Sequence, residues 1–349
     1  MDWNTIPDVG SKPDFDNVLC VLRREVPQRP TLFEFFLNDP LYARLVPDWP
    51  VLAETPEGRI RGTIRANLRL GYDYTTLVIP GFALGASHGP RRKDRSVSMN
   101  EGSLIHTRAD FEAFPWPDPD TLDYELLDRL GGDLPDGMKL IPYGPGGVLE
   151  NVVDLVGYEA LCLLIYDDAP LAQAIFDAVG SRLVRYYERA VGYASVGACI
   201  SNDDWGFKTQ TMFAPQDMRR LVFPWHTEIV KAIHAGGKPA ILHSCGHYGR
   251  IIEDVIEDMK FDGRHSYEDG IQPVEAFYEQ YGSRIAVLGG IDLDFVCRAA
   301  PEEVYRRSKA MLERAAGRGG FALGTGNSVP DYVPDANYFA MLRAALEVR

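Results

Sequence analysis

His243-Ser244-Cys245 is the sharpest chemical signal in this chain. It follows Pro239-Ala240-Ile241-Leu242, a short apolar run that reads as a β-strand. Side chains two residues apart at a strand end point the same way, so the His243 imidazole and the Cys245 thiol can converge on one point. Nitrogen and thiolate donors suit zinc, which two protein ligands rarely hold alone. His265 is the first choice for a third ligand, with Glu268 and Asp204 as further candidates. A loop histidine beside a buried cysteine would explain the same pair without any metal.

Carboxylates form the second group. Asp203-Asp204, Glu268-Asp269 and Asp292 each end a strand unit. Acids gathered on one rim can act as general acids or bases, ligands or substrate anchors, or can simply cap the next helix. Asp204, Glu268 and Asp292 are the catalytic candidates, and Asp203, Trp205, Thr325 and Asn327 the substrate-binding ones. Gly324-Thr325-Gly326-Asn327 offers close backbone approach but lacks the lysine of a phosphate loop. His247 reads as a helix-start residue, and His88, His106, His226 and His234 as structural.

The elements that must position these groups follow a rhythm from residue 139 onward. Strands are expected at 139–142, 196–201, 239–242, 285–288 and 321–323, each followed by a polar or glycine-rich loop and a helix. Helices are expected at 151–165, at 170–194, from Pro215, after Gly246, from Pro273, after Pro301 and near Pro334. Short apolar strands alternating with helices imply parallel βαβ units, and polar clusters after each strand imply one active face. The expected fold is a (β/α)₈ TIM-type barrel spanning residues 1–349, with about 1–70 as an irregular N-terminal extension packed on it. An open doubly wound sheet is disfavoured because no Gly-x-Gly-x-x-Gly follows a strand. Upstream, Thr31 and Glu34 have capping-box spacing, which predicts a helix over 29–45. A strand is expected at 75–79, a hairpin over 96–106 and a helix over 121–130.

Composition excludes several classes. Lys and Arg number 36 against 50 Asp and Glu, a net charge of −14, which argues against a nucleic-acid partner. The short run Arg91-Arg92-Lys93-Asp94-Arg95 reads as a solvated loop. No apolar stretch is long enough for a membrane span, and the start resembles no signal peptide. Cys20, Cys162, Cys199, Cys245 and Cys297 are odd in number and scattered, as expected of free thiols in a cytoplasmic protein.

Leu242 to Gly246, Leu288-Gly289-Gly290-Ile291-Asp292 and Leu323 to Asn327 come in the order and spacing of the uroporphyrinogen decarboxylase superfamily, which the chain resembles. Asp203-Asp204-Trp205-Gly206 with Pro215 and Pro224 is similar to its middle segment. Leu22-Arg23-Arg24-Glu25 with Arg29-Pro30 resembles the opening of its corrinoid-methyltransferase-like branch. The resemblance implies a single barrel, often a homodimer, with its site at the C-terminal ends of the strands. In the methyltransferase branch a His-x-Cys pair and a later cysteine bind zinc, which activates a thiol to take methyl from a methylcorrinoid. His243 and Cys245 match, but the later cysteine would fall within residues 324–327, which contain none. The decarboxylase branch has a histidine in that loop and an arginine-rich segment near the N-terminus. Here Thr325 stands in the loop, and Arg29 and Arg44 are alone in 29–45.

The resemblance therefore implies a metal-dependent, methyltransferase-like enzyme with zinc at His243, Cys245 and His265. It would act with a small corrinoid-carrying partner protein and pass methyl to a thiol or pterin acceptor. The alternatives are a decarboxylase of a tetrapyrrole or other carboxylate, and a non-catalytic corrinoid or tetrapyrrole carrier.

Overall fold

The computed structural model describes residues 2–5, 9, 12–84, 99–100 and 103–348. The basic run at 91–95, His88 and residues 96–98 and 101–102 of the expected 96–106 hairpin lie outside the described residues, and the described part of that segment forms no strand.

Among the described residues seven strands run parallel: β1 (Tyr74–Leu77), β2 (Lys139–Pro142), β3 (Cys199–Asn202), β4 (Ala240–His243), β5 (Gly263–His265), β6 (Ala286–Leu288) and β7 (Phe321–Ala322). β1 pairs with β2, and β3 to β7 pair in chain order. Parallel bridges Leu140–Val196 and Tyr143–Ile200 join β2 to β3. Nearly every strand residue is buried, as in a sheet covered on both faces.

Closure comes from residues 31–35. The Leu323 amide donates to the Thr31 carbonyl at 2.8 Å, and the Phe33 amide donates to the Leu323 carbonyl at 2.8 Å. On the other side the Thr76 hydroxyl donates to the Phe35 carbonyl, and the Tyr74 hydroxyl to the Glu34 carbonyl at 2.7 Å. This segment is therefore an eighth wall element, and the helix expected over 29–45 is shortened to Asp39–Leu45. The reason is the two-residue period of Phe33 and Phe35, whose rings both enter the barrel against Tyr74, Tyr143, His243 and His265. The helix is capped by Asn38, whose side chain accepts from the Leu41 amide at 2.8 Å.

Other boundaries moved for identifiable reasons. The helix expected at 151–165 is two, Val148–Val156 and Tyr158–Asp167, separated by Gly157 at φ 86°. The helix expected from Pro215 is a short turn and a widened turn, Met218–Val222, before Phe223–Ala235. Pro224 supplies no N–H to the turn before it, which favours the wider spacing there. The helix expected over 121–130 begins later, at Leu126–Gly131. β3 begins at Cys199 rather than 196, and β1 ends at Leu77 rather than 79. The longest helix, Ala169–Ala190, packs against Phe223–Ala235 on the outer layer. Among the described residues no helix is long and apolar enough to cross a membrane.

Candidate functional site

The residues singled out in the sequence leave the barrel at one end. His243 and His265 are the last residues of β4 and β5, and Asp204, Asp292 and Asn327 lie in loops following β3, β6 and β7. Register sets their heights: Asn202 pairs with His243, and His243 pairs with His265. Asp204 and Cys245 each lie two residues beyond a paired position, so both rise one step above the two imidazoles.

Asp204, His243 and Cys245 each offer a ligand atom, and these three atoms lie within 4.8 Å of one another. The Cys245 amide donates to Asp204 Oδ1 at 3.0 Å, which ties the two loops together. Cys245 Sγ accepts from the Ser266 hydroxyl at 3.3 Å and from Asn327 Nδ2 at 3.3 Å. Ser266 holds its hydroxyl there from a left-handed backbone, φ 88°, which a serine adopts only under constraint. Gly246 has φ 103°, and a Cβ on it would stand 2.3 Å from the Gly206 backbone. Glycine there lets the loops after β3 and β4 touch just beyond the thiol.

His265, expected as the third ligand, lies outside this group. Its Nε2 is 3.4 Å from the Thr325 carbonyl, and its Nδ1 is 2.7 Å from His243 Nδ1. A carbonyl only accepts, so Nε2 carries the His265 proton. Burial pulls both histidines well below the ordinary imidazole range, and so both are neutral. His265 Nδ1 must then accept from His243 Nδ1–H, which leaves His243 Nε2 with a free lone pair. Phe35 packs on His243 with ring centroids 4.3 Å apart, and Phe33 on His265 at 5.0 Å. Burial pushes the Cys245 thiol up to about 12, with the Asp204 charge adding to the shift.

The other expected site residues have different surroundings. Asp203 is buried under the helix Val148–Val156, where its carboxylate accepts from the Leu149 and Glu150 amides at 2.9 Å each and contacts His226 Nε2 at 2.8 Å. Trp205 is fully buried against Phe223, His226 and Tyr248. Thr325 is also fully buried and donates from its amide and hydroxyl to Glu34 at 2.7 and 2.8 Å. Asp292 caps the helix Leu293–Arg298 through the Phe295 amide and also accepts from the Asp269 amide, both at 2.8 Å. Glu268 is at the rim, 3.9 Å from Lys208. A cleft of ≈ 1050 Å³ reaches Asn327, the residue that contacts the Cys245 thiol, and is lined also by Glu268, Asp292, Cys297 and Tyr332.

Sequence reasoning missed Glu34, Glu150 and Ser266. Burial raises Glu34 to about 8. Glu150 is raised to about 8 by burial and by the charges of Asp203 and Asp204. In the sequence Thr31 and Glu34 have the spacing of a helix cap, and Ser266, between His265 and Glu268, carries no signal of its own.

Comparison with known proteins agrees with this architecture. The uroporphyrinogen decarboxylase family model matches residues 16–348. A uroporphyrinogen decarboxylase of Sorangium cellulosum (strain So ce56) is 26% identical over 301 residues, 81% of this chain and 80% of that protein. One from Anaeromyxobacter dehalogenans (strain 2CP-C) is 25% identical over 254 residues, 70% of this chain and 69% of that protein. Among solved structures, a methyltransferase from Methanosarcina mazei shares the fold with a TM-score of 0.70, at 16% identity, covering 95% of this chain and 97% of that one. With a match across nearly its whole length, this TIM-type barrel chain belongs to the uroporphyrinogen decarboxylase family.

Proposed function

We propose that the chain is a zinc-dependent, methyltransferase-like enzyme whose metal is held by Asp204, His243 and Cys245. The observation that carries this reading is the close grouping of one carboxylate, one imidazole and one thiol at the end of the barrel. That donor set fits zinc, since thiolate and imidazole ligands favour it over hard cations. His243 Nε2 has its lone pair available, and Asp204 and Cys245 are only partly covered, which suits a site with an open position. When bound, zinc would acidify a substrate thiol so that the thiolate attacks carbon. Ser266 and Asn327 orient Cys245, His265 orients His243, and the cleft beside Asn327 admits the substrate. The methyl donor in this reading is a methylcorrinoid on a partner protein, and the acceptor a thiol or pterin.

Elemental analysis of protein purified without chelator tests the metal. Wild type and Cys297→Ser are expected to carry one zinc per chain, and Cys245→Ser and Asp204→Ala to lose it. Metal-free wild type, or equal retention in all four proteins, overturns the reading. The second reading is decarboxylation, favoured by the two curated relatives. Anaerobic conversion of uroporphyrinogen to coproporphyrinogen by the purified protein would put it first.

A further inference from the structure

Arg264 is a buried cation without a buried anion. It occupies the middle of β5, so its side chain leaves the sheet on the face opposite to that of His265. It is 4% exposed. Its guanidinium carbon lies 3.9 Å from the Tyr248 ring centroid, 4.6 Å from Tyr267 and 5.0 Å from Phe277. No carboxylate among the described residues forms an ion pair with it, and its Nε is buried without an acceptor. Arg29 and Arg307, both largely buried, do find carboxylates, at Asp73 and at Asp269 with Glu275. Ring faces and a hydrogen bond to the Tyr267 hydroxyl offset part of the desolvation of this guanidinium, but a buried charge with no ion-pair partner remains unfavourable, and its planar donors, Nε among them, are not all used.

Those donors border a crevice of ≈ 20 Å³ lined by Gly246, Ser266, Glu268 and Gln272 together with the two tyrosines. That is room for about one water-sized group. Ser266 forms the wall shared with the metal site, since its hydroxyl reaches Cys245 Sγ at 3.3 Å. The Glu268 charge is countered by Lys208 at the rim.

We propose that Arg264 is the anion-binding subsite of this enzyme and takes one oxygen of a carboxylate carried by the substrate. The placement of that carboxylate next to the reacting atoms rests on the function proposed above; the anion site itself does not. A guanidinium held between ring faces in a narrow, largely buried crevice binds an oxyanion through charge-assisted hydrogen bonds that bulk solvent weakens little. The crevice is too small for a whole phosphate, and it admits the edge of a carboxylate. A chain of net charge −14 repels anions in general, so a local buried cation is the means of holding one.

Calorimetric titration of the full chain with sodium acetate, with sodium chloride balancing ionic strength, tests this. Wild type is expected to bind acetate saturably, Arg264→Met at least tenfold more weakly, and Arg264→Lys in between. Zinc content is expected to be equal in all three, which separates failure of this subsite from failure of the metal site. Equal binding by wild type and Arg264→Met, as acetate on the metal would give, overturns the proposal, as does no saturable binding by wild type. Should the Met variant not fold, crystals of wild type grown in bromide decide: a bromide against the Arg264 guanidinium supports the subsite, and none there overturns it.

Discussion

The Nδ1 atoms of His243 and His265 lie 2.7 Å apart at the ends of adjacent strands, with the Thr325 carbonyl behind the second ring. This chain of hydrogen bonds assigns each proton and leaves His243 Nε2 bare. An outer histidine that fixes the tautomer of an inner one is a common support for a metal ligand.

His265→Ala is therefore expected to weaken zinc binding by about 10–100-fold while leaving one zinc per chain at saturation. His243→Ala is expected to remove the stoichiometric metal. Chelator-competition titrations distinguish the two, and equal loss in both variants would make His265 a ligand instead.

Asp203 accepts two helix amides and faces His226 in a fully buried setting. Asp203→Ala leaves those groups unpaired, so a loss of about 2–4 kcal/mol in urea unfolding is expected, with zinc content unchanged. Lost metal with undiminished stability would assign Asp203 to the site chemistry.

Much of the barrel was legible because each short apolar strand ends in a polar cluster, and β2 falls at 139–142 as expected. Residues 31–35 were not, because Thr31 and Glu34 have the spacing of a helix cap while Phe33 and Phe35 alternate like a strand. Local spacing cannot choose between these, and pairing with Leu323 does. The third donor proposed here, Asp204, was obscured similarly. β3 and β5 both flank β4, so chain order alone leaves Asp204 and His265 equivalent. Register separates them: His265 is level with His243, whereas Asp204 is level with Cys245.

Glu34 gives a pH dependence. Its folded-state pKa is about 8, raised by burial from 4.5. Between those values the unfolded chain releases a proton that the folded chain keeps, so this group makes stability fall as pH rises, by up to about 1.4 kcal/mol per pH unit. Glu34→Gln can still accept from the Thr325 amide, and its amide N–H can donate to the Thr325 hydroxyl, whose own proton then goes to the Asn327 carbonyl. Its unfolding free energy is expected to change less with pH over that window, and to exceed wild type at pH 8. Parallel urea profiles for the two proteins would refute the burial argument.

Ser266 carries both backbone strain and a hydrogen bond to the thiol. Ser266→Gly relieves the first and deletes the second, whereas Ser266→Ala deletes only the second. Glycine is expected to raise stability by about 1 kcal/mol over alanine, with both lowering zinc affinity. Thermal unfolding and chelator competition read the two effects separately.

The last prediction concerns the sulfur that this chain lacks. In the methyltransferase branch it resembles, a second cysteine comes from the loop after the last strand, and here that loop brings Asn327 Nδ2 to 3.3 Å from Cys245 Sγ. A cysteine side chain is one bond shorter than asparagine's amide nitrogen, so a thiol at 327 would sit slightly farther back. Two thiolates on one tetrahedral zinc, each at about 2.3 Å, stand about 3.8 Å apart. Asn327→Cys thus places a second sulfur within reach of the metal proposed at Asp204, His243 and Cys245. The variant is expected to bind zinc at least tenfold more tightly than wild type. Its cobalt-substituted form should also show stronger sulfur-to-metal absorption, as two thiolates give more than one. If affinity and spectrum both stay at wild-type values, the loop after β7 does not face the metal, and the placement of zinc beside Cys245 fails with it.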